Sequence, residues 1–361
     1  MATVKAVVFT GDGKHDVREF PMPEPPEGGL VLRVEAVGLC GSDLAQLDGQ
    51  MLVPNGKYPV VPGHETVGRV ERMDAGAAWT LAVGDRVAVD EILRCGRCAA
   101  CRGGELGCRQ MQLYGYTMGV DDGPGLWGGY GEYMAILPGT NLLKLPGDVP
   151  AEELTLFEPL ANALNWATLS GIKPGDTVVV EGPGHQGLAC VVAAHLAGAV
   201  NVIATGRAND GLRLEAALTV GASHTIDVDN EDPVARVAEI TGGAMADVVM
   251  DIADGSTATV TLAVEMAKSR GRVLLAGLKH SKPVQNFVSD TVVFKSLTIV
   301  GGSGFTPGSM RASVDLLAAG RIPTKELLGG VFTIDQIDQA IAYLSRSVPG
   351  EDRVRVGLRF D

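Results

Sequence analysis

The chain has 361 residues, of which 46% are apolar and 20% charged, with a net charge of −13 and 48 glycines. This length exceeds the roughly 100–200 residues of one typical domain, so two domains are expected. No run approaches the roughly 18 unbroken apolar residues of a membrane-spanning helix, and no Lys/Arg block offers the basic face that nucleic acid requires, so neither partner is expected. The opening MATVKAVVFTGDG reads as a short strand rather than a secretory leader, which points to a cytoplasmic protein.

Residues 1–150 carry short alternating segments (AVVF, GLVLRVEAVG, TVGRVER, DRVAVDEIL) punctuated by PMPEPPEGG, VPGHE and LPGT. This texture predicts a compact antiparallel β roll or barrel. Within it, CGRCAACRGGELGC places thiols at Cys95, Cys98, Cys101 and Cys108, a C-x2-C-x2-C-x6-C spacing. In a reducing compartment such thiols are metal ligands more often than disulfides. Four thiolates complete a tetrahedral zinc shell and leave no open position, so a structural zinc is expected. An iron–sulfur cluster uses the same donors and is the alternative. Gly96, Gly103, Gly104 and Gly107 would let the loop wrap the ion.

From about residue 151 the pattern changes. EELTLFEPLANALNWATLSG reads as helix, and then apolar strands (TVVVEG, NVIAT, HTIDV, ADVVMDIA, RVLLAGL, SLTIVGG) alternate with helical segments. Buried strands joined by helical crossovers predict a doubly wound parallel sheet. Residues 303–361 add one or two helices (PGSMRASVDLLAAG, IDQIDQAIAYLSR) and a strand-like RVRVGLRF, which is free to return to the first domain. The expected division is 1–150, 151–302 and 303–361. Cys190, in LACVVAAHLAG, reads as a small buried hydrophobe.

TVVVEGPGHQGLACVVAAHLAG is a strand, a G-x-G-x-x-G turn and a helix, with Gly182, Gly184 and Gly187 in the turn beside His185 and Gln186. Such a turn lets the backbone approach a pyrophosphate at the helix N-terminus. An NAD site usually adds an Asp or Glu about 20 residues on, to hold the ribose hydroxyls. The corresponding stretch here is Thr205, Gly206 and Arg207. Without a carboxylate to repel it, a 2′-phosphate can pair with the Arg207 guanidinium. NADP is therefore expected over NAD. The alternative is NAD, with Asp210 swinging in.

Cys40 lies in VGLCGSDLAQ, His64 and Glu65 in VPGHETVG, and Glu158 in FEPLANAL. One thiolate, one imidazole and one carboxylate, with water in the fourth position, is how a catalytic zinc is held.

CGSD at 40–43, GHETVG at 63–68, the cysteine loop at 95–108, GGYGEY at 128–133, FEPLANAL at 157–164 and GPGHQG at 182–187 follow one another in a distinctive order. In this the chain resembles the zinc-dependent medium-chain dehydrogenase/reductase family of alcohol, polyol and threonine dehydrogenases. The motifs span the first half of the chain, and the rest is consistent by pattern only. The resemblance implies an α/β protein: a GroES-like β-roll catalytic domain plus a Rossmann doubly wound sheet, assembled as a homodimer or homotetramer. It implies Cys40 and His64 as ligands of the catalytic zinc, and Glu158 as the third ligand, as in the polyol and threonine enzymes. It further implies that Glu65 coordinates while water and substrate exchange, that Asp43 orients the histidine, and that Ser42 takes the alcohol proton. The total is two zinc ions per chain. Two positions depart from the family: Ala45 stands where many members carry the histidine that ends the proton relay, and Asp74 stands where a small residue is usual.

The expected activity is hydride transfer between a secondary alcohol or polyol and NAD(P)+, with zinc polarising the oxygen and Ser42 starting the proton relay. The alternatives are an inactive metal- and nucleotide-binding sensor or scaffold, and a zinc-free reductase of activated C=C bonds. Pocket walls are expected from AQLDGQMLVPNGKYP and QMQLYGYTMGVDDGPGLW, with Tyr114, Tyr116 and Trp127 either lining the pocket or in the core.

Overall fold

The computed structural model describes residues 2–103, 108 and 110–360. Gly104 and Gly107, which were expected to shape the cysteine loop, lie outside the described residues. The chain divides into two compact units, Met1–Glu158 with Val314–Asp361, and Pro159–Ser313.

The first unit is built on a seven-stranded sheet. Its path runs Gly330–Phe332, Val356–Arg359, Leu30–Gly38, Glu65–Met73, Arg86–Val89 and Leu142–Lys144, with Tyr133–Ile136 also pairing on Leu30–Gly38. All pairings are antiparallel except that of Gly330–Phe332 with Val356–Arg359. The tail strand Val356–Arg359 thus lies beside Leu30–Gly38. Thr3–Phe9 and His15–Pro21 form a separate antiparallel pair. Val7, Leu32, Val34, Val87, Tyr130 and Met134 are among the side chains sealed in the core. Asp74 ends the strand Glu65–Met73 by accepting hydrogen bonds from the backbone of Gly28 (2.8 Å) and Gly76 (2.9 Å). A short polar side chain is suited to this turn-capping role.

The second unit holds a six-stranded parallel sheet in the order His224–Asp227, Asn201–Gly206, Thr177–Glu181, Ala246–Asp251, Ala267–Leu275, Thr298–Gly301. The first of these strands in the chain, Thr177–Glu181, has the second on one side and the fourth on the other. Chain progression reverses there, and ligands of doubly wound sheets bind beyond the strand ends at such a point. All five residues of Thr177–Glu181 are buried, which is why that strand reads as an unbroken apolar run instead of an alternating one. The following helix, His185–Leu196, is buried from Gly187 to Ala194, and Cys190 is sealed within it.

The predicted helix over EELTLFEPLANALNWATLSG is two helices, Ala151–Leu154 and Phe157–Ser170. The break falls at Thr155, whose carbonyl accepts from the Arg355 guanidinium at 3.1 Å. That bond to a distant part of the chain uses a carbonyl in the interval between the two helices. Among the described residues no helix is long and apolar enough to cross a membrane.

Candidate metal centres and dinucleotide turn

Among the described residues, two groups of metal-donor side chains converge, both in the first unit. The first is the cysteine loop. One sulfur from each of Cys95, Cys98, Cys101 and Cys108 lies within 4.8 Å of the others, and all four are reduced. Gly96 turns the loop with φ of 68°, a conformation that a side chain would strain. The Cys95 amide donates to Cys108 Sγ at 3.3 Å and the Cys101 amide to Cys98 Sγ at 3.4 Å. Backbone donors from Arg97 and Cys98 hold the Cys95 thiol down at about 6, while burial pushes Cys101 up to about 12. Cys95 is thus a readier thiolate than Cys101. Four convergent sulfurs fit one tetrahedral ion and satisfy it completely.

The second group is Cys40, His64 and Glu65, whose ligand atoms also lie within 4.8 Å of one another. Cys40 immediately precedes the helix Gly41–Leu47, and its backbone N–H donates to Asp43 Oδ2 at 2.8 Å. Asp43 in turn accepts from the Tyr130 hydroxyl at 2.6 Å and places Oδ1 3.5 Å from His64 Nδ1. A carboxylate against the second ring nitrogen is how a metal-binding imidazole is oriented. Thiolate, imidazole and carboxylate together suit an open zinc site.

Glu158, the expected third ligand, is buried in the first turn of Phe157–Ser170 and is not one of the converging trio. The trio's carboxylate is that of Glu65, which forms a fully buried ion pair with Arg355. Arg355 also donates to Thr155 Oγ1 at 2.8 Å. Glu91 is a buried acid that sequence reasoning passed over. Burial, together with the nearby Glu158 and Asp90, holds its carboxyl well above the usual range, and His64 acts in the opposite direction. Glu91 therefore senses both Glu158 and His64. The only signal for it was the acidic pair Asp90–Glu91 just before the cysteine loop.

Tyr114 and Trp127 belong to the buried core, with Tyr114 bonded to Thr140 at 2.8 Å. Tyr116 instead places its hydroxyl 3.1 Å from Ser42 Oγ and 3.1 Å from His64 Nδ1. It also lines a small cleft, open on one side, with Gln46, Gln50, Met51, Leu52 and Val53. Both loops expected to form pocket walls contribute to this cleft.

In the second unit the glycine turn has a backbone that other residues would strain or crowd. Gly182 has φ of 92°, and a Cβ there would stand 2.8 Å from the Ala253 Cα. Gly184 precedes the helix His185–Leu196. Gln186 is turned inward, donating to the Pro159 carbonyl at 2.8 Å. Thr205 is buried at the end of Asn201–Gly206. A Cβ on Gly206 would stand 2.7 Å from Pro183 Cγ, so any acidic side chain at this position would collide with the turn. Arg207 is 70% exposed and approaches Asp229 at 3.3 Å. Asp210 is buried and accepts from the Arg207 amide at 2.8 Å. Arg213 brings a guanidinium nitrogen to 3.9 Å from the position of a Gly184 Cβ, a cation at the turn that sequence reasoning did not single out.

Comparison with known proteins agrees with this architecture. The alcohol dehydrogenase GroES-like domain family matches residues 26–147, and the zinc-binding dehydrogenase family matches residues 187–319. The chain is 40% identical over 335 residues to "Probable alcohol dehydrogenase adh" of Mycobacterium tuberculosis, covering 90% of each. It is 31% identical to the erythritol/L-threitol dehydrogenase of Mycolicibacterium smegmatis, covering 98% of this chain and 97% of the relative. A Sinorhizobium meliloti protein assigned to the zinc-binding dehydrogenases and solved bound to NADP superposes with a TM-score of 0.87 at 30% identity over the whole of both chains. An Escherichia coli alcohol dehydrogenase complexed with NADH superposes with a TM-score of 0.86 at 26% identity, again over the whole of both chains. The chain belongs to the zinc-dependent medium-chain dehydrogenase/reductase family and is an oxidoreductase of the alcohol dehydrogenase type.

Proposed function

We propose that this enzyme interconverts a secondary alcohol or polyol and its ketone, with NADP as the hydride carrier. The observation that carries the reading is the convergence of Cys40, His64 and Glu65 two residues from a hydroxyl, Ser42. When bound, zinc would supply a Lewis acid that polarises the substrate oxygen, and the nicotinamide would supply or accept the hydride. Cys40 and His64 would hold that ion, with Glu158 as the third ligand and the Glu65 carboxylate at hand beside them. The sensing of both Glu158 and His64 by Glu91 supports a common locale for these groups. Asp43 holds His64, and Ser42 gives a proton to, or takes one from, the substrate oxygen. The four-cysteine loop holds a second, structural zinc.

The exposed Arg207 and the closed space at Gly206 support NADP. Asp229 opposes it, because its carboxylate stands where it competes for Arg207, and NADH is the alternative on that account. The edge strand Thr298–Gly301, with Val293 70% and Phe294 84% exposed nearby, supports a homodimer in which two such edges pair.

The test is metal content by mass spectrometry together with a turnover screen of alcohols and ketones using NADPH and NADH. Two zincs per chain and turnover with NADPH are expected. One zinc per chain would remove the Lewis-acid mechanism. Two zincs without turnover of any substrate would favour a sensor or scaffold.

A further inference from the structure

The family histidine that follows the catalytic cysteine is replaced by Ala45, yet Ser42 is not left without a polar neighbour. Its partner comes from a distant segment. Tyr116, 74 residues on, places Oη 3.1 Å from Ser42 Oγ and 3.1 Å from His64 Nδ1. The phenol ring lies 5.4 Å from the imidazole, centroid to centroid, and is tilted by 40°. Tyr116 packs with Ile92 and Leu113, which fix the ring from the apolar side.

The two hydrogen bonds have a definite polarity once His64 serves as a ligand. Asp43 Oδ1 and Tyr116 Oη both face Nδ1, so the other ring nitrogen, Nε2, is the one left for a metal. Nδ1 of a neutral, Nε2-ligating imidazole carries a hydrogen. Tyr116 Oη, at 3.1 Å against 3.5 Å for Asp43 Oδ1, is the nearer acceptor and takes the hydrogen bond from His64. A phenol is protonated at neutral pH and has one hydrogen to donate. That hydrogen goes to Ser42 Oγ. Ser42, as the recipient, turns its own hydrogen away from Tyr116.

We propose that Tyr116 is a positioning residue that links His64 to Ser42 and fixes the direction of the Ser42 hydroxyl, which then faces the substrate oxygen. The proposal rests on the dehydrogenase reading above. Tyr116 acts through its two neighbours, and its hydroxyl gives Ser42 a polar partner that Ala45 does not supply. A packing role would need the ring alone. The proposed role needs the oxygen.

Tyr116→Phe removes the oxygen and keeps the ring. In ketone reduction by the zinc-loaded variant, kcat should fall about tenfold while KM for the ketone changes less than twofold. Release of zinc to a colorimetric chelator should accelerate about tenfold, because partners of a ligand imidazole typically tune metal affinity by 10–100-fold. In a Ser42→Ala background, Tyr116→Phe should have no further effect on kcat but should still speed zinc release. A kcat within twofold of wild type overturns the proposal, and so does a fall that persists undiminished in the Ser42→Ala background. Wild-type protein that turns over no alcohol or ketone would sink the dehydrogenase reading instead. Zinc release would then decide for the His64 bond by itself, with unchanged release in Tyr116→Phe counting against it.

Discussion

Glu65 and Arg355 form an ion pair in which neither side chain has any solvent exposure. The two residues are 290 positions apart in the chain, and Arg355 is further bonded to the hydroxyl and carbonyl of Thr155. Removing one partner of a buried pair leaves an uncompensated charge and costs about 3–5 kcal/mol. Arg355→Met should therefore lower Tm by about 10 °C in a domain of this size, measured by calorimetry on the zinc-loaded protein. Melting like wild type would mean that Glu65 finds full compensation elsewhere.

The cysteine loop makes a separate prediction. Cys98→Ser breaks a four-sulfur shell that has no further donor grouped with it among the described residues. Zinc content should fall by one ion per chain, and Tm should drop by about 5 °C, while NADPH binding persists. Two zincs retained per chain in Cys98→Ser would show that the four sulfurs do not act as one shell.

Arg207 and Asp229 should act in opposite directions on the cofactor. Their approach of 3.3 Å sets a guanidinium and a carboxylate at the same place. Arg207→Ala should weaken NADPH binding about tenfold, as loss of one charge-assisted bond implies, and leave NADH nearly unaffected. Asp229→Asn should tighten NADPH. Fluorescence titration of both nucleotides reads the result, and equal weakening of NADPH and NADH in Arg207→Ala would assign that residue no part in choosing between them.

Glu181 gives a pH dependence. Its side chain is 2% exposed and Oε2 has no hydrogen-bond partner. The neighbouring strand sets Asp251 directly opposite, itself 2.9 Å from Lys279. Burial first, and then Asp251, raise the Glu181 carboxyl well above its ordinary 4.5. Between that ordinary value and the raised one, the folded protein binds more protons than the unfolded chain. Stability is then fully present below about pH 4.5 and is lost as pH rises through the raised value. Glu181→Gln removes this loss, so the variant should melt higher than wild type at neutral pH, with the gap narrowing toward pH 5. Parallel Tm curves across that range would discard the assignment.

The doubly wound sheet was legible because its strands are buried on both faces and read as apolar runs, as in TVVVE. The glycine turn was legible because its residue types answer a backbone requirement. Gly206 was legible only as an absence. The reason for it, the contact with Pro183, comes from a turn more than twenty residues away. The same holds in the first unit. Motifs close in sequence mark Cys40, His64 and the four-cysteine loop, but Glu91 shows only as part of an acidic pair, Tyr116 only as one of several aromatic candidates, and Arg355 not at all. They reach the centre from loops and from the residue just before the tail strand, and only the fold states those distances. The break in the helix at Thr155 is another such case, since it answers a guanidinium 200 residues later.

The strand Val356–Arg359 lies against Leu30–Gly38, so the sheet that carries Cys40 and His64 is closed by its latest-synthesised segment. Residues 159–313 are continuous and have all their sheet partners in hand as soon as they leave the ribosome. The first unit has no such independence. Its earliest strands emerge long before their last neighbour, and through that interval they present an unpaired edge of the kind that recruits chaperones or aggregates. The buried pair of Glu65 with Arg355 likewise forms only after that segment has arrived.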